Sequence, residues 1–151
     1  MVLEIGETAP AVSAPNQHGE RIDLPVDGPT VLYFYPRDGT PGCTREAAAF
    51  GAELPAFDEA DVDVYGVSSD GVDSHREFAA RENIEFDLLA DPDGEIAAAY
   101  GVPRGPTGAV ERTTFVVLDG RIQAVYESVT PGGHAREVLG DLPAADVTDT
   151  Q

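Results

Sequence analysis

The chain has no lysine. All nine of its basic residues are arginine, set against 28 acidic residues, for a formal net charge of −19. A charge of that sign and size repels nucleic acid and anionic membranes, so neither is an expected partner. Long apolar runs are missing too, and none approaches the roughly 20 residues that a membrane helix needs. The opening MVLEIGETAP has no basic start followed by an apolar stretch. No secretory signal is read there, and the cytoplasm is the expected compartment. Cysteine is nearly absent, Cys43 being the only one in 151 residues. That excludes an internal disulfide, a disulfide-stapled secreted scaffold and a C-x-x-C dithiol oxidoreductase. The three histidines, His18, His75 and His134, are scattered. Without a second cysteine they offer no metal-ligand spacing, so they are read as structural and no metal or other cofactor is expected.

What is present is acid, spread along the chain rather than gathered in a tail. Asp58, Glu59, Asp61 and Asp63 form one group, and Asp91, Asp93 and Glu95 another, both assigned to turns and solvent faces. Dispersed carboxylates without lysine suit a cytoplasm full of salt. At about 1 M salt the Debye length is roughly 3 Å, which screens most surface repulsion. In dilute buffer the same charge destabilises the compact state. Adaptation to high salt is therefore the expectation.

The length suits one domain with a substantial core, spanning residues 1–151, whose small polar tail at 143–151 is expected to fray. Strand-like and helix-like stretches alternate. AVSAPN and ERIDL flank a turn at His18-Gly19 and predict an N-terminal hairpin. Thr30–Pro36, TVLYFYP, reads as a strand buried on both faces. Helical character runs from Thr44 to Phe50. Gly51 and Pro55 then interrupt it, with a second short helix before Asp61. VDVYGVSS is the next buried strand, and Asp73 or Ser74 is placed to cap a helix that runs to Glu82. DLLADP is a short strand, and EIAAAYG a helix ended by Gly101. RTTFVVLDGRIQAVYES is a hairpin turning at Asp119-Gly120. His134–Leu142 closes the fold as an amphipathic helix. The order predicts an α/β fold with a central mixed sheet flanked by helices. In such sheets sites form beyond the carboxyl ends of parallel strands, and Cys43 falls there, after a strand and at the mouth of a helix.

A helix mouth favours the reactive form of a cysteine, the thiolate, because unpaired N–H groups and the positive end of the dipole face it. That effect is worth about 0.3–1 kcal/mol, up to ~2 when partly buried, so a fixed cation must supply the larger share of any strong activation. A lone cysteine can equally be filler.

The neighbours of Cys43 decide between these. In FYPRDGTPGCTREAAAF, Pro36, Thr40 and Cys43 stand at the spacing P-x-x-x-T-x-x-C. This resembles the active-site motif of peroxiredoxins, and the whole phrase is similar to the subfamily of bacterioferritin comigratory protein, or PrxQ. YGVSSDGVDSHREFA, FDLLADPDGEIAAAYGV, RTTFVVLDGRI and HAREVLGDL follow in the same order, so the resemblance covers roughly Pro10 to Leu142. It implies a thioredoxin-like fold with peroxiredoxin additions. It implies that Cys43 is the peroxidatic cysteine, whose thiolate attacks a peroxide oxygen and becomes a sulfenic acid. Thr40 would hydrogen-bond thiolate and peroxide, Pro36 would shield the site from water, and Arg112 would stabilise thiolate and transition state. Glu46, three residues after Cys43 on the same helix face, would hold Arg112. Taken alone, each has a plainer reading: a strand end for Pro36, a turn residue for Thr40, a surface charge for Arg112, a solvated acid for Glu46.

One departure from the subfamily matters. Many members carry a resolving cysteine five residues after the peroxidatic one, where this chain has Ala48. The cycle implied is a one-cysteine cycle, in which an external thiol, small or thioredoxin-like, reduces the sulfenic acid. A slow reductant would expose that acid to over-oxidation. The competing role is a peroxide sensor or relay that passes oxidation from Cys43 to a partner protein. Members of the subfamily are monomers or weak homodimers, and the sequence does not choose.

Overall fold

The TVLYF run is buried at all five positions from Thr30 to Phe34. In the computed structural model, which describes residues 2–24, 29–106, 108–127 and 134–141, this run is the middle of the main sheet. The elements follow in the order β1 (Val12–Pro15), β2 (Arg21–Leu24), β3 (Thr30–Phe34), α1 (Pro41–Glu59), β4 (Asp63–Ser68), α2 (Val72–Glu82), β5 (Asp87–Ala90), α3 (Glu95–Tyr100), β6 (Thr113–Leu118), β7 (Arg121–Glu127) and α4 (His134–Asp141). The five-stranded sheet has the order β5-β4-β3-β6-β7, with β3 parallel to β4 and antiparallel to β6. The expected mixed sheet, flanking helices and N-terminal hairpin are therefore present. The expected tail at 143–151 lies outside the described residues.

Strand alternation divides the core in two. Val31, Tyr33 and Tyr35 point to the face that also holds Phe50, Phe57 and Val138 of the helices. Leu32 and Phe34 point to the other face, with Ile96 and Tyr100 of α3. Tyr33 stacks on Phe50, with ring centroids 4.4 Å apart. Gly66 on the neighbouring strand makes room for that ring, since a Cβ there would sit 3.0 Å from Tyr33 and from Leu88. Asp119 and Gly120 both have positive φ, 54° and 77°, as the tight β6–β7 turn requires.

Three local expectations are corrected. First, Gly51 and Pro55 do not divide the helix: α1 is one helix of 19 residues with Pro55 inside it. A proline there removes one hydrogen bond and costs about 3 kcal/mol. Burial of Phe50 and Phe57, both 0% exposed, offsets that at about 1.5–3 kcal/mol per side chain. Second, Gly71 rather than Asp73 or Ser74 precedes α2, and no side chain caps it. Ser74 instead donates to Asp38 at 2.8 Å. Third, Asp91 is no solvent carboxylate. It is buried and accepts from the backbone N–H groups of Ile96 and Ala97 at 3.0 and 3.1 Å, so it serves the orphan donors at the start of α3.

The hairpin β1–β2 forms its own small sheet, and its turn protects an edge of the large one. Gln17 donates from Nε2 to the Phe86 carbonyl and accepts at Oε1 from the Leu88 N–H, as a neighbouring strand would. The edge strand β5 is thus partly covered by one side chain.

Candidate active site

Register brings together residues far apart in sequence. Phe34, the last residue of β3, pairs with Thr113, the first of β6. Because the strands are antiparallel, Arg112 lies beside the point where the chain leaves β3 toward the active-site turn. Five residues beyond Pro36 the chain has turned and entered α1, with Pro41 in its first turn and Thr40 at its N-cap. Cys43 is buried on the inner side of that first turn.

Arg112 closes the site. Its Nη2 donates to Cys43 Sγ at 3.3 Å, and its Nη1 donates to Glu46 Oε1 at 2.7 Å. The planar fork thus spans two acceptors on one face of α1, which a lysine could not do in the same geometry. The second oxygen of Glu46, Oε2, is buried with no hydrogen-bond partner. Burial pushes the Glu46 carboxyl up to about 7, and the Arg112 charge and hydrogen bond only partly offset it. One half-buried cation therefore faces two groups that can each carry negative charge.

The remaining sequence-predicted residues are near but differently engaged. Thr40 Oγ1 donates to the Arg37 carbonyl at 3.1 Å rather than to Cys43. Pro36 is half-buried just past the end of β3. Ala48, where a resolving cysteine would stand, is exposed on the outer side of α1.

Residues 5–125 match the AhpC/TSA family model. The chain belongs to that family. Within it, the chain is 36% identical to peroxiredoxin Bcp of Bacillus subtilis, over 94% of this chain and 96% of that protein. Two solved structures share the fold closely. Peroxidoxin BcpB from Mycobacterium tuberculosis matches with a TM-score of 0.86 at 34% identity, covering 99% of both chains. A cysteine-to-serine variant of PrxQ from Xylella fastidiosa matches with a TM-score of 0.88 at 31% identity, covering 94% of this chain and 96% of that one. The sequence resemblance to the Bcp/PrxQ peroxiredoxins and its thioredoxin-like fold are thus borne out.

This AhpC/TSA member carries a second cluster that sequence reading missed. Asp38, in the turn before Cys43, receives the Tyr35 hydroxyl at 2.6 Å on Oδ1, and the Ser74 hydroxyl and His75 Nδ1 at 2.8 and 2.7 Å on Oδ2. Its own backbone N–H donates to Asp70 Oδ2 at 2.7 Å. Burial works to raise Asp38, but the donors from His75, Tyr35 and Ser74 outweigh it and hold the carboxyl below its ordinary value. Asp38, Asp70 and His75 present ligand atoms within 4.8 Å of one another, a grouping that could in principle hold a cation. These atoms are already committed to hydrogen bonds, which an ion would have to displace. No sequence spacing announces the cluster, because its members come from the segment that follows β3, the β4–α2 connection and α2.

Among the described residues no helix is long and apolar enough to cross a membrane.

Proposed function

We propose that this protein is a thiol-dependent peroxidase that reduces hydrogen peroxide and organic hydroperoxides through Cys43 alone. The observation that carries the reading is the Arg112 fork, with one prong on Cys43 Sγ and the other on Glu46. The Cys43 thiolate attacks the outer oxygen of the peroxide. The S–O bond forms as the O–O bond breaks, and the leaving oxygen takes a proton to become water or an alcohol. Negative charge moves from sulfur toward the leaving oxygen, where a preorganised cation is worth most. Arg112 can follow that charge with one donor while Glu46 holds the other. Thr40 is proposed to orient the hydroperoxide by a hydroxyl that both donates and accepts, and Pro36 to exclude water.

The sulfenic acid then meets an external thiol. A mixed disulfide forms with loss of water, and a second thiol releases Cys43 together with a disulfide of the two reductants. The reductant is proposed to be a thioredoxin-like protein or a small thiol. The whole cycle is proposed to run in one domain, a monomer or weak homodimer in the cytoplasm.

The test is turnover. Peroxide loss is followed with a large excess of a thiol, for the wild type and for Cys43→Ser. Many turnovers per wild-type chain and none for the variant are expected. One stoichiometric oxidation without thiol-driven recycling would instead favour a sensor that hands its oxidation to a partner protein.

A further inference from the structure

The turn between β3 and α1 determines where Pro36 and Thr40 stand relative to Cys43, and part of it faces solvent. Arg37 and Gly39 are exposed, and Gly39 has φ 80°. The anchored residue is Asp38, with two oxygens and a backbone N–H all engaged. Behind it stands His75, which is 0% exposed. Its Nε2 lies 3.0 Å from the Leu89 carbonyl of β5, and its Nδ1 lies 2.7 Å from Asp38 Oδ2.

The partners specify the protons. A carbonyl only accepts, so Nε2 carries hydrogen. One proton must also lie between Nδ1 and Oδ2. Asp38 is held in its charged form by His75 first and then by the Tyr35 and Ser74 hydroxyls, so Nδ1 is the donor across that contact. His75 thus bridges a sheet carbonyl and the turn carboxylate, and hydrogen bonds to an ionised carboxylate are the strong ones. The buried ring on α2 thereby ties the carboxylate of the turn that enters the reactive helix, and this is the contact the turn depends on.

We propose that His75 is a positioning residue that acts through Asp38 to hold the Pro36–Thr40 turn in the shape required for peroxide attack by Cys43. This rests on the peroxidase reading. The neighbouring polar groups fit it. Asp70 accepts from the Asp38 N–H and from Ser68 Oγ, and Tyr35 adds its hydroxyl, so the turn is fixed before peroxide arrives. Misplacing a reacting group by about 1 Å can cost on the order of 100-fold in rate.

Two substitutions separate positioning from simple support. His75→Asn puts an amide nitrogen where Nδ1 stands, so it keeps the donor to Asp38 and loses Leu89. His75→Gln reaches toward Leu89 and loses Asp38. The rate of Cys43 oxidation by hydrogen peroxide is measured in a single turnover without reductant, beside the thermal midpoint of each variant. Both variants are expected to melt lower. His75→Asn should stay within about threefold of the wild-type rate, while His75→Gln falls by about tenfold or more. Asp38→Ala should fall as far as His75→Gln, and combining them should cost little further, as expected for residues acting as one unit.

Equal losses in His75→Asn and His75→Gln, or losses that multiply in the double variant, would overturn the proposal. If neither His75 variant folds, Tyr35→Phe removes one donor to Asp38 while keeping the ring. A several-fold slower oxidation then supports the proposal, and an unchanged rate overturns it. A wild-type Cys43 that does not react with peroxide sinks the peroxidase reading itself, and this is seen before any variant is made.

Discussion

The two ends of α1 treat charge in opposite ways. At its N-terminus, Cys43 and Glu46 face the fork of Arg112, and the nearby Asp38 is met by His75. At its C-terminus, Asp58 and Glu59 occupy a last turn without a basic residue, against the sense of the helix dipole. A cleft beside that end is lined by Asp58, Asp63, Glu85 and Asp87, with no cation among its described lining residues. Burial raises the Asp63 carboxyl, and Asp58, Asp87 and Asp61 raise it further. With only nine arginines against 28 acids, compensation is local. The end where a thiolate must be held has its cation built in, and the other end is left to solvent and counterions.

The contrast can be broken from its reactive side first. Cys43→Ser should abolish peroxide reduction outright, measured as peroxide consumed per chain. Arg112→Lys keeps the charge and loses the fork, so it should slow Cys43 oxidation by about tenfold or more. A rate within about twofold of wild type would show that charge alone suffices at this end.

Glu46 gives the next effect, in pH. Its folded carboxyl titrates at about 7 against an ordinary 4.5. The folded state therefore holds a proton that the unfolded chain has released. This contribution to stability is fully present below about pH 4.5 and is lost as pH rises through about 7. The shift corresponds to on the order of 3 kcal/mol. Glu46→Gln, which stays neutral, should flatten that loss, read as the difference between denaturant midpoints at about pH 5 and pH 8. An unchanged pH slope would mean that Glu46 is already ionised at low pH by its contact with Arg112.

The smallest effect belongs to the acidic end. Wild-type thermal stability should rise between dilute and molar salt, because screening relieves like-charge repulsion. Asp63→Asn should raise the midpoint in dilute buffer and reduce its salt dependence. A melting temperature indifferent to salt in both proteins would remove the charge account of that end.

Much of this was legible in the sequence. The alternation of buried runs with helical segments, the Asp119-Gly120 turn and the Gly101 stop rest on local chemistry, and all three appear in the fold. The resemblance around Cys43 pointed to Arg112 and Glu46, and the fold brings Arg112 to both Cys43 and Glu46 although 69 residues separate Arg112 from Cys43. What could not be read was non-local. Pro55 and Gly51 signal a break, but two buried phenylalanines on the same helix outweigh them. Asp91 looks like one more surface acid until α3 begins beneath it. His75 carries no motif, and its role becomes visible only when the turn, α2 and β5 are seen together.

The central claim is that Cys43 is oxidised by peroxide and that a thiol from outside the chain restores it. Mass spectrometry of the intact protein after one equivalent of hydrogen peroxide, with and without a small thiol, tests this directly. The expected result is one added oxygen on Cys43 without thiol, and a mixed disulfide passing to reduced protein with it. A Cys43 that stays unmodified, or an oxidised Cys43 that no thiol can reduce, would contradict the account.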